Sequence, residues 1–220
     1  MNVSSSIKNK ILQRYHDRVN KPGLSLKSTV DIDDYNIFTE TGLPSRGHYA
    51  DNLPDCLSKG IKWGTTTEFD RYGKNHCASV SIFNIIQYYA HLLKSPDLNG
   101  HTRLDTFESI YNLAGKGPTI PVSYRSAFVN SIIPHYKAYA GGRAVSWDNY
   151  VAAIRDQRMV YLVLWPSLFN AHYVNGIGFR EYYSGEKYVR IVDNWSKTTD
   201  RYYRWDASIC RFMGFVYISK

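Results

Sequence analysis

Gly73-Lys74-Asn75-His76-Cys77-Ala78-Ser79-Val80-Ser81 is a polar turn that runs directly into an apolar helix, with a cysteine at the junction. The unpaired N–H groups of a helix's first turn, and the positive end of its dipole, stabilise a thiolate at such a place. Cys77 is therefore the candidate nucleophile. From residue 77 to 93 the pattern is helical. Ile82, Ile86, Tyr89 and Leu93 fall at i, i+4, i+7 and i+11, with Phe83 and Ala90 alongside. An apolar arc that wide predicts a central, mostly buried helix, and Pro96 follows its end.

Upstream, residues 4–19 form an amphipathic helical pattern with Ile7, Ile11, Leu12, Tyr15 and Val19 in one stripe, closed by Lys21-Pro22-Gly23. The stripe suits packing on the domain, or else a remnant prosegment or partner helix. Residues 24–72 have weak periodicity and turn signals at Asp31-Ile32-Asp33-Asp34, Gly42-Leu43-Pro44 and Asn52-Leu53-Pro54. They predict a long irregular approach with short helices. The expected division is an N-terminal helix and irregular extension over 1–70 and a main domain over 71–220, together one unit.

Downstream, helices are predicted over 102–114, with Gly115 as a stop, and over 122–133. A short strand follows at 137–140. Ser146 is the expected N-cap of a helix whose apolar face is Tyr150, Val151 and Ile154. Strands are then expected at 159–165, 172–179, 187–193, 201–205 and 212–218, with a turn at Gly185. Helices first and an antiparallel sheet afterwards is an α+β order.

The net charge of +8 is spread along the chain without the Lys/Arg block of a nucleic-acid arm, so no nucleic-acid partner is expected. A solvated basic surface accounts for it, and attraction to an acidic cell surface stays open. Three cysteines do not make a disulfide framework; Cys56 and Cys210 are the pair that could join, leaving Cys77 free. No CxxC or HxxxH spacing suggests a metal site, and no cofactor is expected. No apolar run approaches the ~20 residues of a membrane span. The first residues lack a signal-peptide core, which fits a cytoplasmic protein or one whose leader has been removed; an extracellular or cell-surface location is the favoured expectation.

A cysteine nucleophile needs a base, and the base needs a group that holds its tautomer. Of the seven histidines, His16 and His91 fall on helix bodies, and His48, His76, His101 and His135 in polar turns or at element ends. His76 adjoins Cys77 and is read as a group that tunes local charge. His172 stands at the start of a strand, where a sheet end can present an imidazole rigidly. One strand later comes Val189-Arg190-Ile191-Val192-Asp193-Asn194-Trp195. Side chains alternate along a strand, so Asp193 closes the row of Val189 and Ile191, while Asn194 shares a face with Arg190. Parity thus favours Asp193 over Asn194 as the orienting residue.

Three blocks together resemble a papain-fold cysteine peptidase, nearest the bacterial branch of bacteriocin-leader-processing (double-glycine) peptidases and their stand-alone relatives, with the staphopains more distant. Residues 75–89 resemble that family's nucleophile helix, with Cys first, small residues next and the aromatic pair Tyr88-Tyr89 near the end. Trp147-Asp148-Asn149-Tyr150 through Val160-Tyr161-Leu162-Val163-Leu164 resembles the helix and strand leading to the histidine. His172-Tyr173-Val174-Asn175-Gly176-Ile177-Gly178-Phe179, then Val192-Asp193-Asn194-Trp195, resembles the His strand and the strand bearing the third catalytic residue. In papain that residue is an Asn with a Trp two positions later; here Trp195 stands two positions after Asp193, and the leader-processing branch uses Asp. The likeness covers roughly residues 70–205.

The resemblance implies a papain-like α+β fold, a Cys77–His172–Asp193 triad, a peptide or protein substrate, and a secreted bacterial monomer. Two departures stand out. Arg71 occupies the position of the family's oxyanion-binding Gln, and Ala78-Ser79 follows the cysteine where many relatives have Gly-Pro. Arg71 or the Asn75 amide could serve the oxyanion instead, with the Cys77 backbone N–H as the other donor. Two other classes share these residues: a Cys-His-Asp acyltransferase or transglutaminase-like enzyme, and a catalytically altered papain-like binding module.

Overall fold

Val160-Tyr161-Leu162-Val163-Leu164 is apolar at every position, the mark of a strand covered on both faces. In the computed structural model it lies in β4 (Val160–Ser167), and its alternate side chains enter two separate cores. The structure describes residues 37–52, 60–73, 75–94, 102–117, 137–144, 146–167, 170–205 and 212–219. The helices expected over 4–19 and 122–133, and the Cys56–Cys210 pairing, lie outside these residues. All described residues belong to one unit, Ile32–Lys220.

The other strands are β1 (Ile37–Phe38), β2 (His48–Asn52), β3 (Lys137–Ala144), β5 (Asn170–Tyr182), β6 (Lys187–Val192), β7 (Tyr202–Arg204) and β8 (Phe212–Ser219). They form one antiparallel sheet in the order β1-β7-β6-β5-β4-β8-β3. β2 adds to β5 at Phe179 to Tyr182, past the stretch that pairs with β4. Residues 37–52, where the sequence predicted irregular chain, thus contribute two strands. Their partners lie far along the chain, at Tyr202–Tyr203 and in β5, so no local pattern announces them.

Three α-helices are described: α1 (Cys77–Leu92), α2 (Arg103–Leu113) and α3 (Trp147–Arg155). Thr102 caps α2 by accepting from the Asp105 N–H, and Ser146 caps α3 by accepting from the Asn149 N–H. α1 and α2 bury Ile82, Phe83, Ile86, Phe107 and Ile110 with Tyr161, Val163, Tyr173, Ile177 and Val192 of the sheet. α3 buries Tyr150, Val151 and Ile154 with Val160, Leu162, Leu164, Val174, Val189 and Ile191 on the other face. The architecture is α+β, an antiparallel sheet with helices on both faces.

Two glycines set close approaches. A Cβ at Gly64 would sit 2.8 Å from Phe83 ring carbons, so only glycine lets this segment reach α1. A Cβ at Gly176 would lie 2.7 Å from Tyr150 Oη. The bare backbone there lets the Tyr150 ring lie on β5 and donate to the Gly178 carbonyl at 2.7 Å.

Candidate active site

Cys77 is the first residue of α1, and the polar residue before it, His76, is the N-cap. His76 is buried and donates from Nε2 to the Thr66 carbonyl at 2.9 Å. The main-chain N–H groups of Tyr173, Ala78 and Cys77 itself lie around the Cys77 thiol. They favour the thiolate, but desolvation of the sulfur, in a residue that is half-buried as a whole, pushes the thiol's pKa up and is the larger effect. The magnitudes explain the order. A helix end contributes about 0.3–1 kcal/mol, less than one pKa unit, whereas enclosure can move a group by several units.

Tyr173 reaches the thiol because of where β6 stops. The last β5–β6 pair is Asn175 with Val192, so the main chain of Tyr173 lies beyond the partner strand. Two side chains take the strand's place. Cys77 receives the Tyr173 N–H, and Asn194 Nδ2 donates to the Tyr173 carbonyl at 2.7 Å. His172, the preceding residue, is 4% exposed, and its ring lies flat on Trp195, with centroids 3.8 Å apart and planes 11° apart. Trp195 packs against the α3-side core, and Cys77 against the α1-side core.

His172 Nε2 is 2.5 Å from the Asp193 main-chain carbonyl. A carbonyl only accepts, so Nε2 carries the hydrogen and Nδ1 keeps the lone pair. Burial drives the imidazole pKa down to about 4, and the bond to Asp193 opposes this only in part. At neutral pH the structure therefore holds a neutral imidazole and a neutral thiol.

The Asp193 carboxylate, expected on the imidazole, is directed into its own turn. Oδ1 accepts from the N–H groups of Trp195 and Ser196, each at 2.9 Å, and Ser196 Oγ reaches both oxygens at 3.1 Å. Arg201 Nε stands 3.4 Å from Oδ2. Asp193 thus acts on His172 twice, through its main-chain carbonyl and by folding the turn that lays Trp195 on the ring.

The remaining predicted residues scatter. Arg71 is exposed on the 3₁₀ turn Thr67–Tyr72, with Nη2 2.8 Å from Tyr72 Oη and its guanidinium over that ring. Asn75 takes a left-handed φ of 66° in the turn before α1. Asn194 is fully buried at φ 63° and turned toward α1, where its Oδ1 accepts from Asn84 Nδ2 at 2.7 Å.

Sequence reasoning passed over Asn84. Its signal is visible afterwards, as an amide in an apolar run at i+7 from Cys77 and so on the same side of the helix. Among the described residues no group of three or more His, Cys, Asp or Glu could hold a metal ion, and no helix is long and apolar enough to cross a membrane. Comparison with protein-family models gives no match for this chain, and comparison with curated proteins gives none.

Proposed function

We propose that the protein is a papain-like cysteine peptidase of the double-glycine-leader-processing type, hydrolysing peptide bonds in a peptide or protein substrate. The observation that carries this reading is the set of N–H groups from α1 and β5 converging on the Cys77 sulfur, with the buried His172 next in the chain to one of the donors, Tyr173. Such a cradle accommodates negative charge as it develops, first on sulfur and then on a carbonyl oxygen.

His172 acts as the general base through Nδ1. It removes the thiol proton as sulfur attacks the carbonyl carbon. The tetrahedral adduct collapses, the C–N bond breaks, and the amine leaves with the proton from His172. Water then adds to the thioester, giving up a proton to His172, and the acid departs as the thiol is restored. Because both groups rest neutral, proton transfer accompanies attack rather than preceding it.

A peptide library with quenched fluorescence is the direct test. Wild type should cleave a subset, and Cys77→Ala should cleave none while unfolding at a similar temperature. Equal cleavage by Cys77→Ala overturns the reading. A second reading, a papain-like module that binds peptides without cleaving them, is favoured by the outward-facing Arg71 and by the turn-bound carboxylate of Asp193. Saturable peptide binding without product would establish it.

A further inference from the structure

α1 meets the sheet along an unusual polar seam. Cys77, Ser81 and Asn84 follow one another at i, i+4 and i+7 on one side of the helix. Each finds a separate partner: the Tyr173 N–H at the thiol, Asn175 Nδ2 donating to the Ser81 carbonyl at 3.2 Å, and Asn194 Oδ1 at Asn84 Nδ2. Asn84 is also clamped from behind, accepting from the Gly64 N–H at 2.7 Å and donating to the Gly64 carbonyl at 3.1 Å.

Asn194 closes the seam into a ring. Its main-chain carbonyl accepts from the Thr66 N–H at 2.8 Å, and the Thr66 carbonyl accepts from His76. His76 is bonded to Cys77 in the chain, the Cys77 thiol receives the Tyr173 N–H, and the Tyr173 carbonyl accepts from Asn194. The same residue separates Asp193, whose carbonyl holds His172, from Trp195, whose ring lies on it.

We propose that Asn194, clamped by Asn84, is a positioning residue that sets the Cys77 thiol and the His172 imidazole relative to one another, and that it does not itself touch substrate. Hydrophobic contact is non-directional and fixes the axial position of α1 less sharply than hydrogen bonds do. Directional amide bonds at buried positions fix the helix, since each displaced group would be left unpaired. This inference rests on the proposed chemistry for its purpose and on the ring geometry for its existence.

The test compares wild type, Asn194→Gly, Asn84→Ala and Val151→Ala. Glycine keeps the left-handed backbone at position 194 and removes only the amide. Val151→Ala weakens the α3-side core as a control. Three quantities are read: the His172 titration by NMR, the pH profile of Cys77 carboxamidomethylation assigned by mass spectrometry, and peptide hydrolysis.

Asn194→Gly and Asn84→Ala should both displace the His172 titration and the Cys77 inflection, and should lower kcat by about ten- to a hundredfold with little change in KM. Val151→Ala should move neither titration. Unmoved titrations in a folded Asn194→Gly or Asn84→Ala protein overturn the proposal. So does fast hydrogen exchange of the Thr66 amide in wild type, a measurement that needs no variant. Absence of hydrolysis in wild type would remove the peptidase reading alone, because the two titrations still decide the positioning role.

Discussion

The imidazole of His172 lies on the indole of Trp195 with ring centroids 3.8 Å apart. The stack shields the ring from water on one face, and the Asp193 carbonyl holds its Nε2 edge. Burial of this kind is what lowers the imidazole's pKa. An imidazole so placed is neutral at any pH near seven.

Removing the shield should restore the imidazole's ordinary behaviour. In Trp195→Ala the His172 titration is expected to climb from about 4 toward the ordinary value of 6.5, as read from its Cε1–H resonance. Hydrolysis should then acquire a falling acid limb near that value. A titration that stays at about 4 would show that the indole does not exclude water from the ring.

Asp193 offers a separation of charge from geometry. Asp193→Asn keeps Oδ1 as the acceptor for the Trp195 and Ser196 N–H groups and keeps the main-chain carbonyl on His172. It should retain more activity than Asp193→Ala, which loses the turn and with it the placement of Trp195. Equal losses in the two variants would mean that the negative charge, rather than the turn, supports the base.

The buried His172 should also make folding sensitive to acid. Its folded pKa of about 4 lies below the ordinary 6.5 that the unfolded chain regains. Between these values the unfolded state binds the proton more readily, so stability is full above about 6.5 and falls as pH drops toward 4. The loss from this group alone amounts to about 3 kcal/mol at the end of the window. Urea denaturation across that window should show a steep decline in wild type and a shallower one in His172→Gln. Parallel curves would place the acid sensitivity elsewhere.

Gly176→Ala tests the packing under the His-bearing strand. The added methyl would lie 2.7 Å from Tyr150 Oη and 2.8 Å from Cε2, so the ring or the strand must move. A cost of about 1–3 kcal/mol is expected in thermal or urea unfolding. Tyr150→Phe removes the nearest atom, so the double variant should lose less than the two single losses combined. Strict additivity would show that the ring does not lie on Gly176.

The local elements were legible because their signals are local. The apolar arc of α1 and the buried strand at β4 follow from helical and strand periodicity, and the cap at Ser146 from its side chain. Parity along β6 grouped Val189 with Ile191, and both enter the α3-side core. The short strands β1 and β2 escaped notice, since each is defined by a partner more than a hundred residues away in the chain.

What the sequence alone determined is the order of elements, the buried face of α1, and the nomination of Cys77, His172 and Asp193. It did not determine which atom of Asp193 meets the imidazole, nor that Asn194 turns to α1. Those depend on where β6 ends against β5 and on the left-handed turn at residue 194. Nor did it settle the thiol's protonation. The helix end that favours a thiolate is written in the residues around Cys77, but the enclosure that outweighs it is assembled from distant strands. Desolvation is a property of the whole surround, and it exists only once the chain has folded.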